Sequence, residues 1–293
     1  MFFKRRVGGN SMEIEIKNVS YTYNYKTPLR KTALKNINVN IKPNRINSII
    51  GKCGSGKTTL IELLLALLKP TKGKIYVGPY LVEKNIKIKR INNLRFDVGL
   101  IFQFPEDQIF NSTVKSEIQF GMKYFNYKLK DIDKRTSDAL KMVGLDDSYL
   151  TKNPLKLSRG EMRKVSIASV LAFNPKILIF DEPTVGLDSI SKRNFIKLIQ
   201  LLKNKYNKTI ILVSHDTELV YKCSDYTYVL NEGELVLEGD TKEVLTSNKL
   251  YEYGLQKPKI VEMIDYINEV KGLKIGYRVE INDLIKDVYR NVR

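Results

Sequence analysis

The sequence is poor in the residues that would mark a secreted, metal-stapled or membrane-spanning chain. Only two cysteines, Cys53 and Cys223, occur in 293 residues. That is too few for a disulfide framework or a zinc site, and it fits a reducing cytosol. No run approaches the ~18 consecutive apolar residues of a membrane span; the longest candidate, residues 60–68, is interrupted by Glu62. Residues 1–11 are basic but lack an apolar core and a small-residue cleavage site, so they read as a tail and not a secretory signal. The folded part is expected from Met12. Acidic groups are also scarce, 32 against 50 Lys and Arg, leaving a formal charge of +18. Such an excess could serve nucleic acid or an anionic membrane surface. Here it is spread without a dense block, which reads as a solvated lysine-rich surface, and scattered charge steers without specifying. No nucleic-acid partner is expected.

What is present is a β/α alternation with a helical interruption. Residues 13–25 and 32–41 read as paired antiparallel strands, 46–50 as a short buried strand followed by a glycine loop and an apolar helix to residue 68. Strands near 75–82 and 98–102 follow. Helical patterns then cover 113–125 and 131–143, with Gly144 as a stop. A helix after Ser158, a strand at 177–180, a helix at 189–206 and a strand at 209–213 resume the alternation of a parallel sheet. A hairpin at 226–238 and two short helices, 259–270 and 281–288, complete the chain.

Three local patterns carry chemistry. Gly51-Lys52-Cys53-Gly54-Ser55-Gly56-Lys57-Thr58, with Thr59 next, matches the eight-residue phosphate loop in full. Backbone N–H groups curl around phosphate oxygens, Lys57 bridges the outer phosphates and Thr58 offers a hydroxyl to Mg²⁺. Ile177-Leu178-Ile179-Phe180-Asp181-Glu182 delivers two carboxylates to a strand end. Asp181 is expected to hold Mg²⁺ through water, and Glu182 to orient the attacking water of ATP hydrolysis. Leu157-Ser158-Arg159-Gly160-Glu161 lies between them; its Ser-x-x-Glu spacing is also a helix capping box.

The order of these patterns resembles the ATP-binding-cassette (ABC) family over roughly residues 12–245. The resemblance implies an α/β fold: a P-loop parallel-sheet core, an N-terminal antiparallel β layer, a helical subdomain at about 105–170 and a C-terminal extension at 249–293, with the ATPase domain at 12–248. It assigns roles residue by residue. His215, at the end of the 209–213 strand, is similar to the switch histidine on the γ-phosphate, although a lone histidine is usually structural. Gln103 resembles the Q-loop glutamine that senses Mg²⁺ and the lytic water. Tyr23 resembles the aromatic residue stacked on adenine, with Tyr21 and Tyr25 as rivals and core packing as the alternative. Asp188 resembles the D-loop aspartate, or is a plain helix N-cap. Ser158 and Gly160 match the signature that faces a partner's nucleotide, while Arg159 and Glu161 depart from it.

A narrower likeness lies in Phe102-Gln103-Phe104-Pro105-Glu106-Asp107-Gln108-Ile109-Phe110 and in Met162-Arg163-Lys164-Val165-Ser166-Ile167-Ala168. These resemble the second ATPase subunit of energy-coupling-factor transporters. That likeness implies a motor on the cytoplasmic face of the cell membrane, using ATP and Mg²⁺. Its implied partners are a paralogous ATPase, a transmembrane coupling protein and an exchangeable substrate-binding membrane component, the cargo being a vitamin or a transition-metal ion. It also implies that Glu106 or Asp107 pairs with an arginine of the coupling protein. A soluble ATPase of cofactor assembly and a nucleic-acid-associated ATPase are the alternatives. The second would need long insertions between loop and signature, yet only 101 positions separate Lys57 from Ser158.

Overall fold

The computed structural model describes residues 12–88, 91–124 and 131–291; the tail read at residues 1–11 lies outside them. The chain opens with two strands of alternating character, β1 (Ile14–Tyr23) and β2 (Lys31–Ile41), paired antiparallel with Ile14 opposite Ile41. After β3 (Ile46–Ile50) and helix α1 (Lys57–Leu64), strands β4 (Lys72–Val77) and β5 (Tyr80–Val82) join them. The result is a four-stranded antiparallel sheet in the order β2-β1-β4-β5. The strand region near residues 75–82 is therefore a tight hairpin, turned at Gly78 with φ 53°.

Helix α2 (Ile91–Asp97) leads into β6 (Val98–Ile101), and a helical section follows with α3 (Val114–Tyr124), α4 (Ile132–Met142) and α5 (Arg159–Leu171). The core then resumes as β7 (Ile177–Asp181), α6 (Ser189–Tyr206), β8 (Thr209–Val213), α7 (Thr217–Cys223), β9 (Tyr226–Asn231) and β10 (Glu234–Asp240). These strands form the second sheet, ordered β10-β9-β3-β8-β7-β6. All its pairs are parallel except the edge pair β10 and β9.

This sheet is covered on both faces, which explains its unbroken apolar strands. Successive residues point to opposite sides. Leu178 and Phe180 of β7, with Ile210 and Leu212 of β8, join a core shared with the helical section. Ile177, Ile179, Ile211 and Val213 join the other core, with α1 and the antiparallel sheet. Each such side chain contributes about 1.5–3 kcal/mol on burial. The two cores thus clamp the strand ends that carry Asp181 and His215.

Beyond β10, helices α8 (Thr241–Thr246), α9 (Lys249–Glu252), α10 (Lys259–Lys271) and α11 (Ile281–Asn291) form the C-terminal section. It has a small core of its own around Ile264, Ile275 and Leu284. A salt bridge from the buried Lys257 to Asp265 at 2.7 Å anchors its first turn. Among the described residues no helix is long and apolar enough to cross a membrane.

Candidate nucleotide site

The phosphate loop leaves the C-terminal end of β3, a central strand, and enters α1. Lys57 curls back across it, its Nζ donating to the carbonyls of Gly51 at 2.7 Å and Lys52 at 2.8 Å. Two glycines show opposite needs. A Cβ on Gly51 would stand 2.2 Å from the carbonyl oxygen of Leu230, so the chain itself demands glycine there. A Cβ on Gly54 would meet nothing within 4 Å, and its φ of 79° aims the backbone toward open space. That opening is a cavity of about 940 Å³.

The cavity gathers residues that are far apart in the chain. Tyr23, Cys53, Gly54, Gly56, Lys57, Thr58, Thr59, Gln103, Asp181, Glu182 and His215 all line it. Gly51, Lys52 and Ser55 are the back of the loop; the buried Ser55 is held where its carbonyl accepts from Gly233 N at 3.1 Å. Of the three tyrosines, Tyr23 faces the cavity, with its hydroxyl 2.9 Å from Thr59 Oγ1. Tyr21 packs on the core beside it, and Tyr25 is 53% exposed with Lys84 over its ring.

Charges in the cavity are balanced against burial. Burial lowers the Lys57 ammonium from its ordinary range, opposed by the negative charge of Glu182. Burial, then the neighbouring Glu182 charge, pushes the Asp181 carboxyl up, and Lys57 acts against both. Glu182 has φ 47°, a backbone conformation rare for non-glycine residues, with its N–H donated to Val213 O at 2.9 Å. Its Oε1 lies 2.8 Å from His215 Nδ1. The histidine ring is 65% exposed, so it reaches the Glu182 carboxylate without being part of the core. Among the described residues no cluster of three or more His, Cys, Asp or Glu could hold a metal ion. Thr58, Gln103 and Asp181, which line the cavity together, are oxygen donors that would suit a magnesium ion whose remaining ligands are phosphate and water.

Ser158, Gly160 and Asp188 are not brought to this cavity. Ser158 and Gly160 line a separate cleft of about 540 Å³, together with Leu187. The capping box is present in full: Ser158 Oγ accepts from Glu161 N at 3.3 Å, and Glu161 Oε2 accepts from Ser158 N at 3.0 Å. Asp188 caps α6, accepting from Ile190 N and Ser191 N at 2.8 Å each.

The structure separates the two acids that follow Gln103. Glu106 is not offered to a partner's arginine: it is 5% exposed and holds this chain's own Arg163 through two 2.8 Å hydrogen bonds. Burial is the largest influence and would raise its carboxyl, but the Arg163 bonds, a backbone hydrogen bond and the Arg163 and Arg159 charges together leave it below its ordinary value. Only Asp107 stays accessible, 66% exposed and 3.5 Å from Arg159. Sequence reasoning also missed Lys31, Lys35 and Glu232 at the cavity rim, which no motif marks.

A phosphate loop, two strand-end carboxylates and a histidine around one cavity, with a capped Ser-x-Gly helix start facing elsewhere, define an ATP-hydrolysing subunit of the ABC class. The chain belongs to the ABC transporter family, whose model matches residues 34–185. Within that family it is similar to the energy-coupling factor transporter ATP-binding protein EcfA2 of Staphylococcus epidermidis, 39% identical over 86% of this chain and 88% of that protein. It is likewise 39% identical to EcfA2 of Clostridium perfringens, over 96% of this chain and 99% of that one. Among solved structures it is similar to cbiO1 from Clostridium perfringens, part of the ABC transporter complex cbiONQ, with TM-score 0.72 and 33% identity over 87% of this chain and 100% of that one. A second is the dimeric, ADP- and Pi-bound ATP-binding cassette MJ0796, with TM-score 0.68 and 30% identity over 78% of this chain and 98% of that one.

Proposed function

We propose that this chain is the second ATPase subunit of an energy-coupling-factor importer, held peripherally at the cytoplasmic face of the membrane and powering uptake of a vitamin or a transition-metal ion. The observation that carries the reading is the convergence of Lys57, Thr58, Gln103, Asp181, Glu182 and His215 on one cavity while Ser158 and Gly160 face another. In this reading Lys57 and the loop N–H groups hold the phosphates. Thr58, Asp181 and Gln103 would hold a magnesium ion, whose charge would offset that of the phosphates. Glu182 polarises the attacking water, and Tyr23 stacks on adenine. His215 orients the Glu182 carboxylate through their hydrogen bond and donates to charge gathering on the transferred phosphoryl group. Ser158, Gly160 and Asp188 act on the nucleotide of a paralogous ATPase, which returns the service.

The membrane partner has a surface to meet. Leu67, Phe96, Leu100, Phe102, Phe120 and Phe173 line an apolar groove of about 390 Å³ between the sheet edge and the helical section. Phe102 adjoins Gln103, so a helix of a transmembrane coupling protein seated there would touch the segment that reaches the cavity. Asp107 is the acid left to pair with a basic side chain of that helix.

Solubilising membranes and identifying the polypeptides that co-purify tests the assembly: a second ATPase and integral membrane proteins are expected, and a chain recovered alone contradicts it. In that complex Glu182→Gln should keep ATP binding while lowering turnover by about 10²- to 10⁴-fold, with the partner's own site silenced. Turnover at the parental rate removes Glu182 from the role.

A further inference from the structure

Among the described residues Arg163 is the only buried arginine, 8% exposed. It belongs to no motif that binds nucleotide, yet its donors are divided over two distant segments. Nε and Nη2 take both oxygens of Glu106 at 2.8 Å each, in the turn that follows Gln103. Nη1 donates to the carbonyl of Val185 at 3.1 Å and reaches that of Pro183 at 3.5 Å, in the loop that follows Glu182. The guanidinium also lies 5.9 Å from the centre of the Phe104 ring. Its own backbone is in α5, four residues beyond Arg159.

Both segments that it joins are conformationally demanding. Phe104 has φ 52° and Glu182 has φ 47°. Non-glycine residues keep such backbones only where the surroundings fix them. Fold stability alone does not call for this arrangement, because a buried ion pair can usually be replaced by apolar side chains of similar volume without loss. An apolar pair could fill the space of Glu106 and Arg163. It could not donate to the carbonyls of the loop that carries Glu182. A planar guanidinium, with donors fanned in fixed directions, is suited to bridging a carboxylate and a backbone loop; an ammonium is not.

We propose that Arg163 is a positioning residue for ATP hydrolysis, tying the turn after Gln103 to the loop after Glu182 and to the signature helix. Displacement of the Gln103 turn then moves the Glu182 carboxylate and the Ser158 end of α5 together. The inference rests on the role proposed for Glu182 and adds the side chain that sets its place. A small misplacement of the group that orients water is enough to slow the chemistry strongly without weakening nucleotide binding.

The test compares Arg163→Lys, Arg163→Met and the double variant Glu106→Met/Arg163→Met in the solubilised complex, with Glu182→Gln alongside. Thermal midpoint, KM for ATP and kcat are measured for each. Arg163→Lys should lower kcat by about tenfold or more with KM within about twofold. The double variant should regain the thermal midpoint lost by Arg163→Met, since no lone buried carboxylate remains, while kcat stays low. A double variant that turns over at the parental rate overturns the proposal; so does a kcat that recovers in step with the thermal midpoint. If the double variant does not fold, Arg163→Lys decides alone, and parental kcat there is the contradicting result. Parental turnover by Glu182→Gln would instead indict the site reading, whereas an inert Glu182→Gln beside normal Arg163 variants indicts only this inference.

Discussion

The phosphate loop and the segment at residues 158–161 are both glycine-bearing helix starts, but their glycines have different reasons. At Gly51 the chain's own Leu230 carbonyl leaves no room for a Cβ, which would sit 2.2 Å away. At Gly160 a Cβ would meet nothing within 4 Å. The first glycine is required by this fold; the second is required by nothing inside it. The phosphate loop is also enclosed by Gln103, Asp181, Glu182 and His215, whereas the Ser158 start is stabilised by its capping box and by the Tyr149 hydroxyl donated to Glu161 at 2.6 Å. One region is a half-site that waits for ATP. The other is a preformed helix start with open space before it, which in the proposed reading the ATPase partner would fill.

Breaking the first region should have the largest effect. Lys57→Ala removes the ammonium that the proposed reading places on the outer phosphates, through charge-assisted contacts each worth about 1.5–3 kcal/mol. ATP affinity of this subunit, read by equilibrium binding, should fall by about 10- to 100-fold. Unchanged affinity would detach Lys57 from the phosphates.

Arg159 sharpens the second region. Its guanidinium is 71% exposed, 3.5 Å from Asp107 and 3.9 Å from Glu106, so it leans toward its own chain's turn after Gln103. An exposed pair of this kind is worth up to ~1 kcal/mol. Arg159→Gly releases the signature start from that tether and removes a bulky side chain. Turnover at the composite site should rise by up to about fivefold, the factor equal to that energy, when the other site is silenced. A fall in rate would mean that the arginine serves the partner's phosphate.

The smallest effect concerns the capping box. The Tyr149 hydroxyl first, then the Ser158 hydroxyl and N–H, hold the Glu161 carboxyl down to about 2, from an ordinary 4.5. A carboxyl depressed in the folded state stabilises it above the unfolded value and loses that contribution as the pH falls. The stabilisation is therefore complete above about pH 4.5 and fades toward pH 2. Glu161→Gln keeps the cap without the charge. Its thermal midpoint should lie slightly below the parental one at pH 7, and the gap should close on acidification; a gap independent of pH contradicts the carboxylate's part.

The sequence was legible where local chemistry sets the outcome. The helix at residues 189–206 and the strand at 209–213 were read to the residue. Asp188 caps one end of that helix, and Asn207, with φ 51°, closes the other. The phosphate loop and the capping box are likewise contiguous patterns. Short helices were not legible: α2 buries only Leu94, and α7 has seven residues. The pairing of Glu106 with Arg163 spans 57 positions and leaves no periodic trace. An acid beside Gln103 looked free for a partner because sequence does not display burial. The contact of His215 with Glu182, 33 positions apart, was implied only by the order of strands in a parallel sheet, which brings their C-terminal ends to one edge.

The claim that residues 158–160 serve a second subunit has a direct measurement. In a Glu182→Gln background, where bound ATP persists, sedimentation with and without Mg-ATP reports pairing of this chain with its own copy or with the co-purifying ATPase. Adding Gly160→Asp puts a Cβ where the chain leaves open space, and an acid in the first helical turn suits the helix dipole. It places a negative charge where, in the proposed reading, the partner's phosphate approaches. The account predicts ATP-dependent pairing for Glu182→Gln and its loss on adding Gly160→Asp, with this subunit's own ATP affinity unchanged. Equal pairing by both variants, or ATP saturation with no pairing by either, would contradict it.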